Sequence, residues 1–478
     1  MRYRSAHGQA AWCQAWFRYS NRRRQRGQAA VYGLFVIVGS VVALFFLFNT
    51  GQLSGEKTKL VNTSDAVAYS AGVMNARTLN YEAYANRAML ANTVAIAQLV
   101  SLSSWVAYVE TMADNGSGVN WMKYIAYYPS YLVAETAGSY LGYLNEEYGE
   151  YSILEGLAVA SDKIIRTRLM TAQQVAYAGL IPARLTVMEA VAQANYRNDG
   201  SIAVDPISLG GDDITGFVSR YADDERIRFA EAARTAANKD SFVPKRSWGM
   251  PALFPDGCAY LFDWLSRRGG TELIGFDEWK ALDTLSEWRW KTDKYGDCFI
   301  TEYPIGYGSR AAADEPAADT DFRRYDYARI VNPLASMLAL GSSSSSAWDY
   351  SGLPNFYDLS ESTLESEDPR LRFAVRLRRA VDQTRSSEGR SDIRNSGSGT
   401  RIGESLNNFQ AAPAGGDEFV AVSASEVFFE RSDSNVYGAS LGKPKEIGSL
   451  FNPYWQVRLV SADDEARLAQ GLQGAVLP

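Results

Sequence analysis

The chain has 478 residues, 46% of them hydrophobic and 12% aromatic, which is enough to bury one large core or two smaller ones and excludes a disordered chain. It carries 48 basic and 55 acidic side chains and one histidine, a balance that argues against nucleic acid as a partner. The charge is unevenly spread: seven arginines (Arg2, Arg4, Arg18, Arg22, Arg23, Arg24, Arg26) and no acid occupy the first 26 positions, leaving 41 basic against 55 acidic side chains beyond them.

Directly after the arginines, Gln28 to Gly55 holds no charged side chain, and 29–48 is strongly apolar. Twenty such residues match the ~30 Å hydrocarbon core of a bilayer as one helix. A secretory leader has a shorter core and a small-x-small cleavage site, whereas this run leads into Asn49-Thr50-Gly51-Gln52-Leu53. The arginine excess on one side is the positive-inside pattern, with Arg22, Arg23, Arg24 and Arg26 setting the orientation. Residues 1–26 are therefore expected in the cytoplasm, 27–49 as a transmembrane anchor, and the rest outside.

From Ser54 to about Asp114 the chain lacks proline and is dense in Ala, Leu, Met, Asn and Val, which predicts one or two long helices continuing from the anchor. Ser64, Ala68, Gly72 and Ala76 recur every fourth residue. Such a line permits close approach of another helix, in a partner or in the chain's own domain. Residues 121–151 are rich in tyrosine, and a further helix is expected from about Ile153 to Asn195, bent or split by Pro182. "DDERIRFAEAARTAANK" predicts a shorter exposed helix. Residues 50–245 thus read as mainly helical.

Residues 246–305 contain Trp248, Trp264, Trp279, Trp288 and Trp290, a set that reads as the core of a stapled subdomain or as a surface that stacks on sugars. Cys258 and Cys298 lie there, in an oxidising compartment on the expected topology, while Cys13 lies in the cytoplasmic tail. A disulfide is expected between the pair; a metal site is the rival, weakened by the want of a histidine nearby. In 306–478, "RLRFAVRLRR" alternates apolar Leu371, Phe373, Val375 and Leu377 with arginines and predicts a strand with one buried face. "EFVAVSASEVFFER" and "YWQVRLV" predict further strands, and 385–416 and 342–346 predict loops. The fold class is α+β: one transmembrane helix, long helices in the first half, and a small antiparallel sheet near the C-terminus.

Chemistry-bearing motifs are sparse. His7 stands on the far side of the expected membrane from the domain, which excludes Ser-His-Asp and Cys-His catalysis and histidine-held metal there. "GASLGKPKE" has the wrong spacing for a phosphate loop, with Pro444 where Ser or Thr should stand. "DYSG" places Leu353 where a metal-dependent adhesion motif needs a second serine. "GGDDITG", "NDGSIAVD" and "ADTDF" lack EF-hand order and read as solvated loops. No catalytic residue, metal or cofactor is assigned.

The segment "RRRQRGQAAVYGLFVIVGSVVALFFLFNTGQLSGEKTKLVNTSDAVAYSAG" (22–72) resembles the N-terminal module of TadE/TadG-like proteins of Tad (Flp) pilus-assembly systems. The resemblance rests on the arginine stretch ending in Arg-Gly, the single apolar helix, the Gly51-x-Leu53 exit, and the Asp65-Ala66 pair in a small-residue helix. "SLFNPYWQVRLV" (449–460) resembles C-terminal endings in the same group. The resemblance implies a single-pass bacterial inner-membrane protein facing the periplasm, with pilus-assembly or pilin proteins as partners and a homo-oligomer left open. Prepilin-type cleavage would fall between Gly27 and Gln28, but the glutamate expected five residues into a mature pilin is Tyr32 here.

Overall fold

The computed structural model describes residues 10–148, 150–197, 199–207, 213–255, 258, 260–314, 318, 321–343, 347–380, 418–430 and 448–471. His7, the whole loop expected at 385–416, and the phosphate-loop-like 438–446 lie outside those residues.

One helix organises the rest. Helix α1 runs Ala10–Asn115, 106 residues, about 160 Å at 1.5 Å per residue. No proline precedes Pro129, so no residue here removes a backbone donor or clashes with the preceding turn. The helix stops where Gly116–Gly118 tightens into a 3-10 turn, with Asn115 Nδ2 donating to the Thr111 carbonyl and Trp121 Nε1 to the Gly116 carbonyl, each at 2.8 Å.

The chain then returns along α1 as α2 (Tyr128–Tyr148), α3 (Glu150–Ile164) and α4 (Thr171–Asn195). Contacts on α1 fall in number as those on the return limb rise. Gly138 lies against Val109 and Ala113, Gln173 donates to Asn86 Oδ1 (2.8 Å), and Arg184 donates to Asn75 Oδ1 (2.8 Å). Pro182 sits inside α4 without splitting it; the irregularity falls instead at Ile165–Met170, a π-helical stretch between α3 and α4.

Beyond the limb come β1 (Ala203–Ile207), α5 (Asp213–Phe217), β2 (Val218–Tyr221), α6 (Ile227–Lys239), β3 (Trp248–Pro251), β4 (Trp264–Ile274), β5 (Glu278–Thr292) and β6 (Cys298–Ala313). They are followed by α7 (Arg323–Val331), α8 (Pro333–Ser343), β7 (Phe356–Leu359), α9 (Glu361–Leu364), β8 (Arg370–Ala380), β9 (Glu418–Phe429), β10 (Trp455–Val460) and α10 (Asp463–Gly471). Helix α6 is amphipathic rather than fully exposed: Phe229, Ala230, Ala233 and Ala237 are buried. Among the described residues the strands form antiparallel sheets ordered β1-β8-β9-β10, β3-β4-β5-β6 and β2-β7.

The β1-β8-β9-β10 sheet seats on the earlier part of the domain's α1, and the β3-β6 sheet on its end. Leu60, Val67, Ala68 and Ala71 share a core with Phe373, Val375 and Leu377, while Tyr108, Val109 and Met112 share one with Leu265, Leu285 and Ile305. The sheet expected near the C-terminus corresponds to β8–β10; the longer strands β4–β6 lie in and just beyond the aromatic-rich stapled stretch 246–305, where no strand was predicted, and position 305 falls inside β6. The reason is burial on both faces. Residues 278–287 of β5 are all buried, charged ones included, so no period of two marks the strand in the sequence. Asp283 is fully buried there, held by Arg246 (2.7 and 2.8 Å), Arg267 (3.0 Å) and Ser104 Oγ of α1 (2.8 Å).

Cys258 and Cys298 form a disulfide, Cα atoms 6.1 Å apart, closing a 40-residue separation. In the chain-entropy account such a loop contributes about 4 kcal/mol. Glycines permit the tightest helix–sheet approach: a Cβ on Gly308 would fall onto the Ser104 carbonyl and lie 2.6 Å from the Tyr108 amide, both backbone atoms. Gly308→Ala should therefore destabilise the protein by about 3 kcal/mol. Gly179→Ala, in a helix with nothing within 4 Å, should stabilise it by about 0.5–1 kcal/mol. Denaturation of the two variants in nanodiscs checks the contrast.

Candidate functional site: the apolar helix and its seat in the domain

The apolar stretch occupies α1 and its described side chains are exposed, with Phe35 at 69% and Leu47 at 65%. It is long and apolar enough to cross a bilayer, and its most hydrophobic window is unburied. Ile153–Asn195 also passes by length and composition, but it carries Asp162, Lys163, Arg166, Arg168, Arg184 and Glu189 and lies along α1. Arg22, Arg23, Arg24, Arg26, Gly27 and Gln28 lie on the α1 backbone, and their side chains are outside the described residues.

The same helix enters the folded domain without a hinge. At its first contact, Lys59 Nζ donates to Asp199 Oδ2 and lies 4.3 Å from the centre of the Tyr196 ring. Arg379 of β8 covers the same ring at 4.4 Å and donates to the Asp199 carbonyl at 2.7 Å. Burial raises the Tyr196 pKa, with the Arg379 charge opposing the shift. Lys59, Tyr196, Asp199 and Arg379 thus clamp three elements together close above the apolar stretch. Arg379 escaped the sequence reading because it sits at the end of an arginine alternation while facing the same side of β8 as Leu377.

Ser64, Ala68, Gly72 and Ala76 face the chain's own sheet and return limb. Ser64 and Ala68 are fully buried and Ala76 nearly so, and a Cβ on Gly72 would strike Val457 Cγ2 and lie 2.8 Å from Ser425 Oγ. At Gly72 the close approach is to β9 and β10 of the same chain. Next to Ser64, Asp65 Oδ1 accepts from Ser423 Oγ at 2.6 Å. Further along, Asn80 brackets β10, accepting from Trp455 N (3.0 Å) and donating to Trp455 O (2.9 Å). Asn86 Nδ2 donates to the Tyr357 and Leu450 carbonyls, both at 2.7 Å. The segment at 449–460 therefore docks directly on α1 beside the segment at 22–72.

That juxtaposition frames the comparison with known proteins. The Flp pilus-assembly TadE/G-like family model matches residues 27–77. The chain carries a TadE/G-like module. No curated protein and no solved structure matches the chain. The module thus comprises the apolar stretch together with the first part of the seat, from the Lys59 clamp through Asp65 and Gly72.

Just past the module, Glu82 is fully buried on α1, and neither carboxyl oxygen accepts a hydrogen bond of good geometry. Burial raises its pKa to about 8, with Gln173 opposing the shift. The tryptophans divide: Trp279 lies in the core, whereas Trp264 and Trp288 pair across β4 and β5 as half-buried stacked rings 6.0 Å apart. Among the described residues no group of three or more His, Cys, Asp or Glu is placed to hold a metal.

Two outcomes follow from the seat. Because folded Glu82 holds its proton more tightly than the unfolded chain, its own contribution to stability is greatest below about pH 4.5 and is lost as pH rises to about 8. Glu82→Gln should flatten that part of the pH–stability curve and be more stable at pH 7 by on the order of 3 kcal/mol, read as unfolding midpoints across pH 4–9. Gly72→Leu should lower the monomer's own melting temperature, since its side chain would enter the Ser425–Val457 wall; an unchanged melting temperature would show that the seat opens freely.

Proposed function

We propose that the chain is a single-pass structural component of the bacterial inner membrane that supports assembly or anchoring of a Tad/Flp-type pilus or a related secretion apparatus, with no reaction of its own. The observation that carries this reading is the TadE/G-like module built into an unbroken helix, half of it bare and apolar and half seated in a folded domain. Arg22, Arg23, Arg24 and Arg26 keep the N-terminus in the cytoplasm, so the domain faces the periplasm, where the Cys258–Cys298 bond is chemically at home. Its partners are other proteins of the pilus-assembly machinery.

A second reading is a minor pilin cut after Gly27. The order of elements favours it: a long N-terminal helix, exposed and apolar at its start, then packed against antiparallel strands. Tyr32 at the fifth mature position weighs against it. Intact mass and N-terminal sequencing of protein extracted from native membranes separate the two. A chain that retains residues 1–26 is a permanent anchor; one that begins at Gln28 is a processed subunit.

A further inference from the structure

The far end of the domain carries an exposed aromatic tip. Along β6, Gly308 lies against Ser104, Gly306 against Met112, and Tyr303 Oη donates to the Asn115 carbonyl at 3.2 Å. The strand direction therefore carries residues 298–302 and the β5–β6 turn past the end of α1. The helical run from 49 to 115 spans about 100 Å at 1.5 Å per residue, so the tip stands about that far from the apolar stretch.

Leu253, Phe254, Tyr260, Phe262, Tyr295 and Phe299 are exposed around the disulfide, Tyr260 at 89% and Tyr295 at 77%. The backbone is fixed at both tyrosines. Tyr260 has φ +66°, a conformation costly for a residue with a Cβ, and is followed by Leu261, whose N–H donates to the Cys258 carbonyl at 3.2 Å. Tyr295 crowns a turn in which Asp293 Oδ1 accepts from the amides of Tyr295 and Asp297, both at 2.8 Å. Lys291, Lys294 and Asp297 are exposed along the same turn, with Lys294 Nζ 4.8 Å from the centre of the Tyr295 ring.

This mixture discriminates between occupants. The bilayer that would hold the apolar stretch is too far away, and a second bilayer would have to take up the Asp297 carboxylate at the tip. The centre of a protein interface is depleted in charge, whereas exposed charges flank Tyr295 and Phe299 here. A sugar chain uses both: aromatic faces cover its C–H faces while carboxylate and ammonium groups bond its hydroxyls. We propose that the tip binds a polysaccharide, the cell-wall glycan that lies beyond the inner membrane; this identification of the glycan rests on the periplasmic orientation given above.

The test uses the full chain in nanodiscs. The protein should co-sediment with purified peptidoglycan sacculi and not with phosphatidylethanolamine/phosphatidylglycerol vesicles. The Tyr260→Ser/Tyr295→Ser double variant should lose at least tenfold in sacculus binding at an unchanged melting temperature. Absence of sedimentation, equal sedimentation of the variant, or sedimentation with vesicles alone would overturn the proposal. The orientation is read separately: a Tyr295→Cys variant should react with a membrane-impermeant maleimide in cells with a permeabilised outer membrane, and failure to label would overturn the topology while the sacculus result stands by itself.

Discussion

The absence of any break in α1 is the constraint on which the molecule depends. One helix crosses from a bare apolar stretch into a packed domain, so its sequence must satisfy two surroundings in succession. In the first, twenty apolar side chains suffice, because the backbone is bonded within the helix. In the second, successive faces of the helix must fit sheets on one side and a returning helical limb on another. The small residues at Ser64, Ala68 and Gly72 answer that demand by letting backbone and sheet come close.

Close packing alone would leave the register of helix against sheet loosely defined, since apolar surfaces slide with little penalty. Polar side chains on α1 remove that freedom. Asp65 engages Ser423, Asn80 brackets Trp455, Asn86 ties β7 to the loop before β10, and Ser104 reaches the buried Asp283. Each joins groups far apart in sequence, and each would leave a buried polar atom unpaired if the register slipped. Glu82 is the exception in this series, buried without a bonded carboxyl, and burial is what keeps its proton in place at neutral pH.

Legibility in the sequence followed exposure. The anchor candidate was plain because every side chain in it has the same character, and β8 because its arginines alternate with core residues. Strands β4 and β5 were hidden: buried on both faces and lined with paired charges such as Asp283 and Arg267, they show neither alternation nor an apolar run. The small-residue line was visible as a contact surface, but a four-residue spacing fits a sheet as well as a helix. Nothing local told which of the two would fill it. The aromatic tip was similarly obscure, since exposed and buried rings are spelled with the same letters.

By itself the sequence determined the features set by local composition and period: a charge-free apolar helix behind an arginine block, a proline-free continuation, and late strands with apolar residues at alternate positions. It also carried a TadE/G-like signature over residues 27–77. Only the tertiary structure decided which surfaces meet. It brought 449–460 onto α1, turned Gly72 toward Ser425 and Val457, and left Tyr260 and Tyr295 uncovered beyond the end of the helix. Local patterns state what a surface can bury; which partner buries it depends on chain reversals hundreds of residues apart, and no neighbouring residue records those.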